Sequence, residues 1–230
     1  MRLVTKRARA RANIASDWVV RSTKFTLFAP RTVFFDEHGE FASSRPFVAS
    51  VTKLTEVGKR SLELETYIEL VNAEHTKLAV VSATVIPING RTQEPVAVPT
   101  DVDFAPHLSP SSFATLRPAF PSAPPSALRW AFALPLRSSD LDPFLHVNNT
   151  VTGALFMDAL YGHVPARHRV ASGYLEYNSP LLAGDVVTVA CAQWPLNARA
   201  ACTVMRLGVA GNAERNVRAW FVTEAFGALL

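Results

Sequence analysis

Cysteine is scarce in this chain: of 230 residues only Cys191 and Cys202 carry a thiol, and neither belongs to a CxxC pair or stands beside a cluster of histidines. That argues against a disulfide framework and against a zinc site. Each lies in an alternating apolar segment, so both read as buried thiols. Long apolar runs are missing as well. None approaches the ~20 residues needed to cross a bilayer, which points to a soluble or peripheral protein with no transmembrane segment. Charged residues make up only 18% against 49% hydrophobic, enough to bury a core and unlike the composition of a disordered chain.

Acidic residues are absent before Asp17, whereas Arg2, Lys6, Arg7, Arg9 and Arg11 all precede it. This Arg- and Ala-rich leader, residues 1–17, resembles a mitochondrial transit peptide. A basic arm for RNA or anionic lipid and a plain solvated tail are the other readings. No aromatic residue is interleaved with the arginines, which speaks against nucleic acid as the partner.

Between Ala105 and Ala127 the chain turns rich in Ser, Pro and Ala, a composition that sustains neither a helix nor a strand ladder. It divides the sequence into segments 18–104 and 128–230, each close to the usual domain size of ~100–150 residues. In the first, Leu62, Leu64, Thr66, Ile68 and Leu70 alternate with Ser61, Glu63, Glu65, Tyr67 and Glu69, the period of a half-buried strand. Strands over Phe47–Val57 and Lys77–Ile88, with turns at Gly58-Lys59 and Asn72–His75, make this half a meander. Trp18–Phe35 is apolar and strand-like.

The second segment begins with a strand over Leu128–Leu136. A helix over Asn149–Tyr161 follows, with Asn148 or Asn149 as N-cap, Gly162 as C-cap, and Val151, Leu155, Met157, Ala159 and Leu160 as its apolar set. Strands over Val170–Asn178, Asp185–Trp194, Ala201–Ala210 and Val217–Phe226 complete it, separated by Gly-Asp, Pro-Leu-Asn and Gly-Asn turn signals. One helix and an antiparallel sheet make an α+β layer architecture.

The motif Asp140-Leu141-Asp142-Pro143-Phe144-Leu145-His146-Val147-Asn148-Asn149 opens the helix, and Tyr174-Leu175-Glu176-Tyr177-Asn178-Ser179-Pro180-Leu181-Leu182-Ala183-Gly184-Asp185 follows it. Together, in this order, they resemble the hotdog-fold thioesterases, with the acyl-ACP thioesterases and the 4-hydroxybenzoyl-CoA thioesterase group as the nearest likeness, over residues 128–226. The resemblance implies a sheet wrapped round a central helix. The strands of segment 18–104, and the exit Asn89–Pro95, are similar to a first repeat whose signature helix is missing or degenerate. A double hotdog with an eroded first repeat is the implied fold.

The resemblance also implies chemistry. Thioester hydrolysis needs a polarised carbonyl and either an attacking carboxylate or a base that activates water. Asp142 matches the catalytic aspartate of the benzoyl-CoA enzymes. Backbone N–H groups at Val147–Thr150 could hold the oxyanion, His146 could orient the thioester or shuttle a proton, and Asn148 or Asn149 could hold the mouth open. Capping explains the two asparagines equally well. Phe144 offers apolar surface for an acyl chain, and Arg137, Arg167 and Arg169 are candidates for the phosphate of CoA or phosphopantetheine. Glu176 reads as a structural carboxylate on a strand.

Three positions depart from the acyl-ACP pattern: Phe144 stands in place of an Asn, Pro180 in place of an acidic residue, and Thr152 in place of a Tyr, while Asp158 falls where that helix often carries Glu. The implied activity is hydrolysis of acyl-ACP or acyl-CoA without metal or redox cofactor. The same features suit a degenerate structural subunit of a mitochondrial assembly, or a protein that holds acyl-pantetheine without cleaving it. A homodimer and membership of a larger complex both fit.

Overall fold

The computed structural model describes residues 16–28, 48–71, 77–92, 94–111, 119–142, 146–164, 168–210 and 212–225. Residues 1–15 of the basic leader, the Asn72–His75 turn, Phe144 and Arg167 lie outside them. The chain divides into two compact units, one running to Leu116 and the other starting at Arg117.

The first unit is an antiparallel sheet of β1 (Ser16–Leu27), β2 (Val48–Val57), β3 (Leu62–Leu70) and β4 (Lys77–Asn89), in the order β2-β3-β4-β1. Register aligns Val20, Val85 and Leu62 in one row across β1, β4 and β3. That apolar face packs on Val98 and Phe104 from the segment after β4, with Trp18, Leu54 and Leu64 around them. The segment is held by backbone bonds, Val98 N–H to the Lys59 carbonyl (2.9 Å) and Ser109 N–H to the Leu54 carbonyl (2.9 Å). The first residues of the Pro/Ser/Ala-rich stretch therefore belong to this unit's wall, with a single 3₁₀ turn at Ala105–His107.

One expectation for β3 fails. Its alternation describes a half-buried strand with a wet face, yet Glu63 is 6% exposed and Glu65 fully buried. Their rows carry polar side chains instead of apolar ones: Thr84 and Ser22 beside Glu63, Ser82 and Lys24 beside Glu65. Ser22 Oγ donates to Thr84 Oγ1 (2.8 Å), and Thr84 donates to the Glu63 carboxylate (2.9 Å). Ser111 Oγ donates to Glu65 Oε2 (2.8 Å), and the Tyr67 hydroxyl donates to its other oxygen. A carboxylate without such donors would not stay ionised in the interior. Lys24 lies near Glu65; burial pushes its ammonium pKa down, and the carboxylate acts in the opposite sense.

The second unit holds β5 (Leu128–Pro135), α1 (Asn149–Tyr161), β6 (His168–Tyr177), β7 (Val186–Pro195), β8 (Ala200–Val209) and β9 (Asn212–Ala225), in the sheet order β5-β7-β8-β9-β6. Strand β9 starts five residues before the expected Val217 because its first residue already pairs with Val209. Cys191, Met205, Ala219 and Leu175 form one buried row across β7, β8, β9 and β6. The ring of Phe156 meets Phe221 with centroids 6.4 Å apart, which sets α1 against this face.

The helix buries Thr152, Phe156, Ala159 and Leu160, an i, i+4, i+7, i+8 stripe. The expected apolar set had the right termini and the wrong phase. Val151, Leu155 and Met157 are only half-buried, while Phe156 is fully buried. The run Leu155-Phe156-Met157 is apolar on every side, so periodicity alone cannot say which side faces the sheet.

Both cysteines are buried and unpaired, as their setting implied. Burial pushes the Cys191 thiol up to about 12 and the Cys202 thiol up to about 11. At pH 8 almost no thiolate exists at either site. The native protein is expected to leave an aromatic disulfide reagent unreacted at pH 8 and to release two equivalents of thiol once unfolded in urea; one fast equivalent from native protein would contradict this burial.

Candidate active site at the mouth of the helix

The segment that leads into α1 is folded back on itself by its own backbone. A 3₁₀ turn at Ser138–Asp140 follows β5, and the Asp140 carboxylate accepts the Arg137 N–H at 2.7 Å. Leu141 and Val147 then pair as an isolated antiparallel bridge. Within that loop the Asp142 N–H donates to the His146 carbonyl (2.7 Å), and the His146 N–H donates to Asp142 Oδ1 (3.2 Å). Asp142 thus closes the loop with both its main chain and its carboxylate. The tip of the loop, residues 143–145, is outside the described residues, and Phe144 with it.

Asn148 is the N-cap. Its Oδ1 accepts from the Thr150 N–H at 2.9 Å and from the Thr150 hydroxyl at 2.8 Å. The first helical bond runs from Thr152 N–H to the Asn148 carbonyl (3.1 Å). Tyr177, at the end of β6, directs its hydroxyl to the Asn149 carbonyl at 3.4 Å. At the other end the Gly162 N–H closes on the Asp158 carbonyl at 3.0 Å, so the glycine caps the helix as expected.

Of the backbone donors expected to hold an oxyanion, three are already committed. Val147 donates to the Leu181 carbonyl (2.7 Å), Asn148 to the Asp140 carbonyl (2.8 Å), and Thr150 to its cap. Asn149 and Val151 are the first-turn N–H groups with no acceptor among the described residues. An oxyanion site here is therefore narrower than the sequence implied, and shifted by one residue into the helix.

The mouth gathers some of the candidate residues and leaves others apart. Asp142, His146, Asn148 and Asn149 are together, with His146 half-buried. Arg137 is exposed at the base of the loop through its bond to Asp140. Arg169 stands elsewhere: it is the second residue of β6, eight residues from the Tyr177 end that meets Asn149, or roughly 26 Å along the strand. There its guanidinium lies 3.8 Å from Glu224 of β9. Asp158 is exposed nine residues along α1 from Asn149, about 14 Å away. Pro180 is exposed and Thr152 is buried in the helix stripe.

Glu176 has a structural partner. Its carboxylate binds the Arg218 guanidinium at 2.5 Å, and that guanidinium lies over the Phe120 ring at 4.3 Å. Tyr177 reaches the helix, so Glu176 next to it on β6 belongs to the opposite face. The residues that sequence reasoning did not single out are Leu181 and Leu182. The Leu181 carbonyl holds Val147, and Leu182 pairs with His146 in an antiparallel bridge. Only the Gly184-Asp185 turn signal hinted at a rigid loop there. No group of three His, Cys, Asp or Glu side chains suited to a metal ion occurs among the described residues. No helix among them is long and apolar enough to cross a membrane.

Residues 130–221 match the family model for the acyl-ACP thioesterase C-terminal domain. That match lies within the second unit and spans its helix and most of its strands. The structure of the chain is similar to the 12:0-ACP thioesterase from Umbellularia californica, at 17% identity and a TM-score of 0.71, over 92% of this chain and 74% of that one. An acyl-ACP thioesterase from Bacteroides thetaiotaomicron aligns at 14% identity and a TM-score of 0.63, over 91% and 77% of the two chains. At these identities the structural likeness is one of fold. No protein of curated function matches the sequence at a significant level.

The cap is the part of this hotdog mouth whose energetics can be isolated. Asn148→Ala removes the acceptor for Thr150 and is expected to lower stability by about 1 kcal/mol, while Asn148→Asp keeps it. Urea unfolding of the two variants beside wild type measures this, and an alanine variant as stable as wild type would contradict the assigned cap.

Proposed function

We propose that the protein hydrolyses an acyl thioester carried on phosphopantetheine, as acyl-ACP or acyl-CoA, at the mouth of α1. One observation carries the reading: a loop closed by Asp142 and His146 sits at the N-terminus of the one long helix among the described residues, inside the region matching the acyl-ACP thioesterase domain. The helix dipole favours negative charge at that end. The N–H groups of Asn149 and Val151 are the donors for the carbonyl oxygen as it gains charge. Asp142 either attacks the thioester carbon, giving an acyl anhydride and releasing thiolate, or takes a proton from the water that attacks it. In this reading His146 returns a proton to the departing sulfur.

The first unit is read as a second, reduced hotdog repeat. Its order β1-β4-β3-β2 repeats β6-β9-β8-β7 with the same connectivity, and a register shift falls at Val20/Ser22 in one and Val170/Ser172 in the other. In this reading the second unit supplies the chemistry.

A second reading, retention of acyl-pantetheine without cleavage, is favoured by the committed N–H groups of Val147, Asn148 and Thr150. The two separate cleanly in one assay. Wild type is expected to release thiol from medium- or long-chain acyl-ACP or acyl-CoA, and Asp142→Asn to lose about 100-fold or more in kcat. Asparagine keeps an Oδ1 acceptor for the His146 N–H, so the fold should survive. Wild type inert toward the whole acyl panel would sink the hydrolase reading.

A further inference from the structure

The loop that carries His146 is gripped from outside by the turn between β6 and β7. Leu182 bridges His146, and the Leu181 carbonyl accepts the Val147 N–H at 2.7 Å. What fixes Leu181 and Leu182 is Asp185. Its Oδ2 accepts the Leu182 N–H at 2.8 Å, and its own N–H donates to the Leu182 carbonyl at 3.2 Å. Gly184 between them has φ +81°, a left-handed conformation in which a side chain would be strained. The Asp185 carbonyl accepts the Leu136 N–H at 3.1 Å, at the exit of β5 where the helix-opening motif begins. One residue therefore ties the chain entering the motif to the turn that clamps its histidine.

We propose that Asp185 is a positioning residue for His146, acting through the Leu181–Asp185 turn and never touching the substrate itself. Two properties of the turn support this. Leu181 is 3% exposed and so cannot swing outward without opening the core, while Leu182 is 40% exposed and depends on the Asp185 carboxylate for its orientation. The His146 backbone has its other hold in Asp142, the proposed catalytic group. With the turn intact, the loop is pinned from both sides. With the turn loosened, the His146 backbone would keep its bonds to Asp142 and lose the support of Leu182 on its other side; displacements of about 1 Å at reacting groups are enough to cost rate. The effect on turnover rests on the hydrolase reading above, whereas the effect on the clamp does not.

The test compares Asp185→Ala with Asp185→Asn, whose amide oxygen still accepts the Leu182 N–H. Amide hydrogen exchange in native protein is expected to speed up about tenfold or more at both Leu182 and Val147 in Asp185→Ala, and to stay near wild type in Asp185→Asn. Turnover should follow the same pattern: kcat down about tenfold in the alanine variant with KM unchanged, and restored in the asparagine variant. Unchanged exchange at Val147 in Asp185→Ala would overturn the proposal, as would equal impairment in both variants. If the alanine variant does not fold, wild type decides: across a urea series the Leu182 and Val147 amides should exchange in step, and independent exchange would overturn the clamp. A wild type without turnover would end the hydrolase reading and leave the exchange results to judge Asp185.

Discussion

Burial of the 13-residue helix against a five-stranded antiparallel face is the constraint on which the second unit depends. A helix of 13 residues is marginal in water by itself, because nucleation costs more than so few hydrogen bonds return. Its stability comes from packing: Phe156 and Leu160 are fully buried, and side chains of this size contribute about 1.5–3 kcal/mol each when removed from water. The same packing fixes where the helix begins. Once Phe156 is set on Phe221, the Asn148 cap and the loop before it have one place to be, and the Tyr177 hydroxyl meets Asn149 there. The proposed chemistry uses that fixed point. It asks for donors that do not reorganise when charge develops, and the first turn of a buried helix provides them.

Much of this was readable from residue order. Turn residues marked the strand boundaries, since Asn197 closes the β7–β8 hairpin with its side chain and Gly184-Asp185 turns the β6–β7 connection through left-handed geometry that few other residues supply. The cap at Asn148 was readable for the same reason, whereas Gly162 ends the helix in right-handed geometry, φ −65°, that other residues also adopt. The phase of α1 was not, because three consecutive large apolar residues erase the contrast on which periodicity depends. Nor was the interior of β3. Alternating Glu and Leu looks the same whether the carboxylates meet water or meet Thr84 and Ser111, and those partners come from 21 and 46 residues away in sequence.

The mouth itself was legible only in part. Asp142, His146 and the asparagines are neighbours in sequence, so their grouping follows from a short loop. The commitment of Val147 to Leu181 and of Leu182 to His146 is long-range, and no local pattern announces it. Arg169 shows the converse: it is near the helix end in sequence, and β6 carries it to the end of the strand away from the mouth, beside Glu224. Fold membership and site chemistry are therefore separate claims here. The hotdog fold rests on strand order and on the sequence match over 130–221; the chemistry rests on a handful of backbone and carboxylate contacts.

The central claim is that a pantetheine-linked acyl group docks its carbonyl at the first turn of α1. The most direct measurement is a titration of isotope-labelled protein with a hydrolysis-resistant acyl-pantetheine, in which a methylene replaces the sulfur, followed by backbone amide NMR. Saturable shifts centred on Asn149 and Val151, with smaller ones at Asp142 and His146, are the predicted result. Saturable binding that leaves these four amides unmoved, or no binding at any soluble concentration of the analogue, would contradict the account.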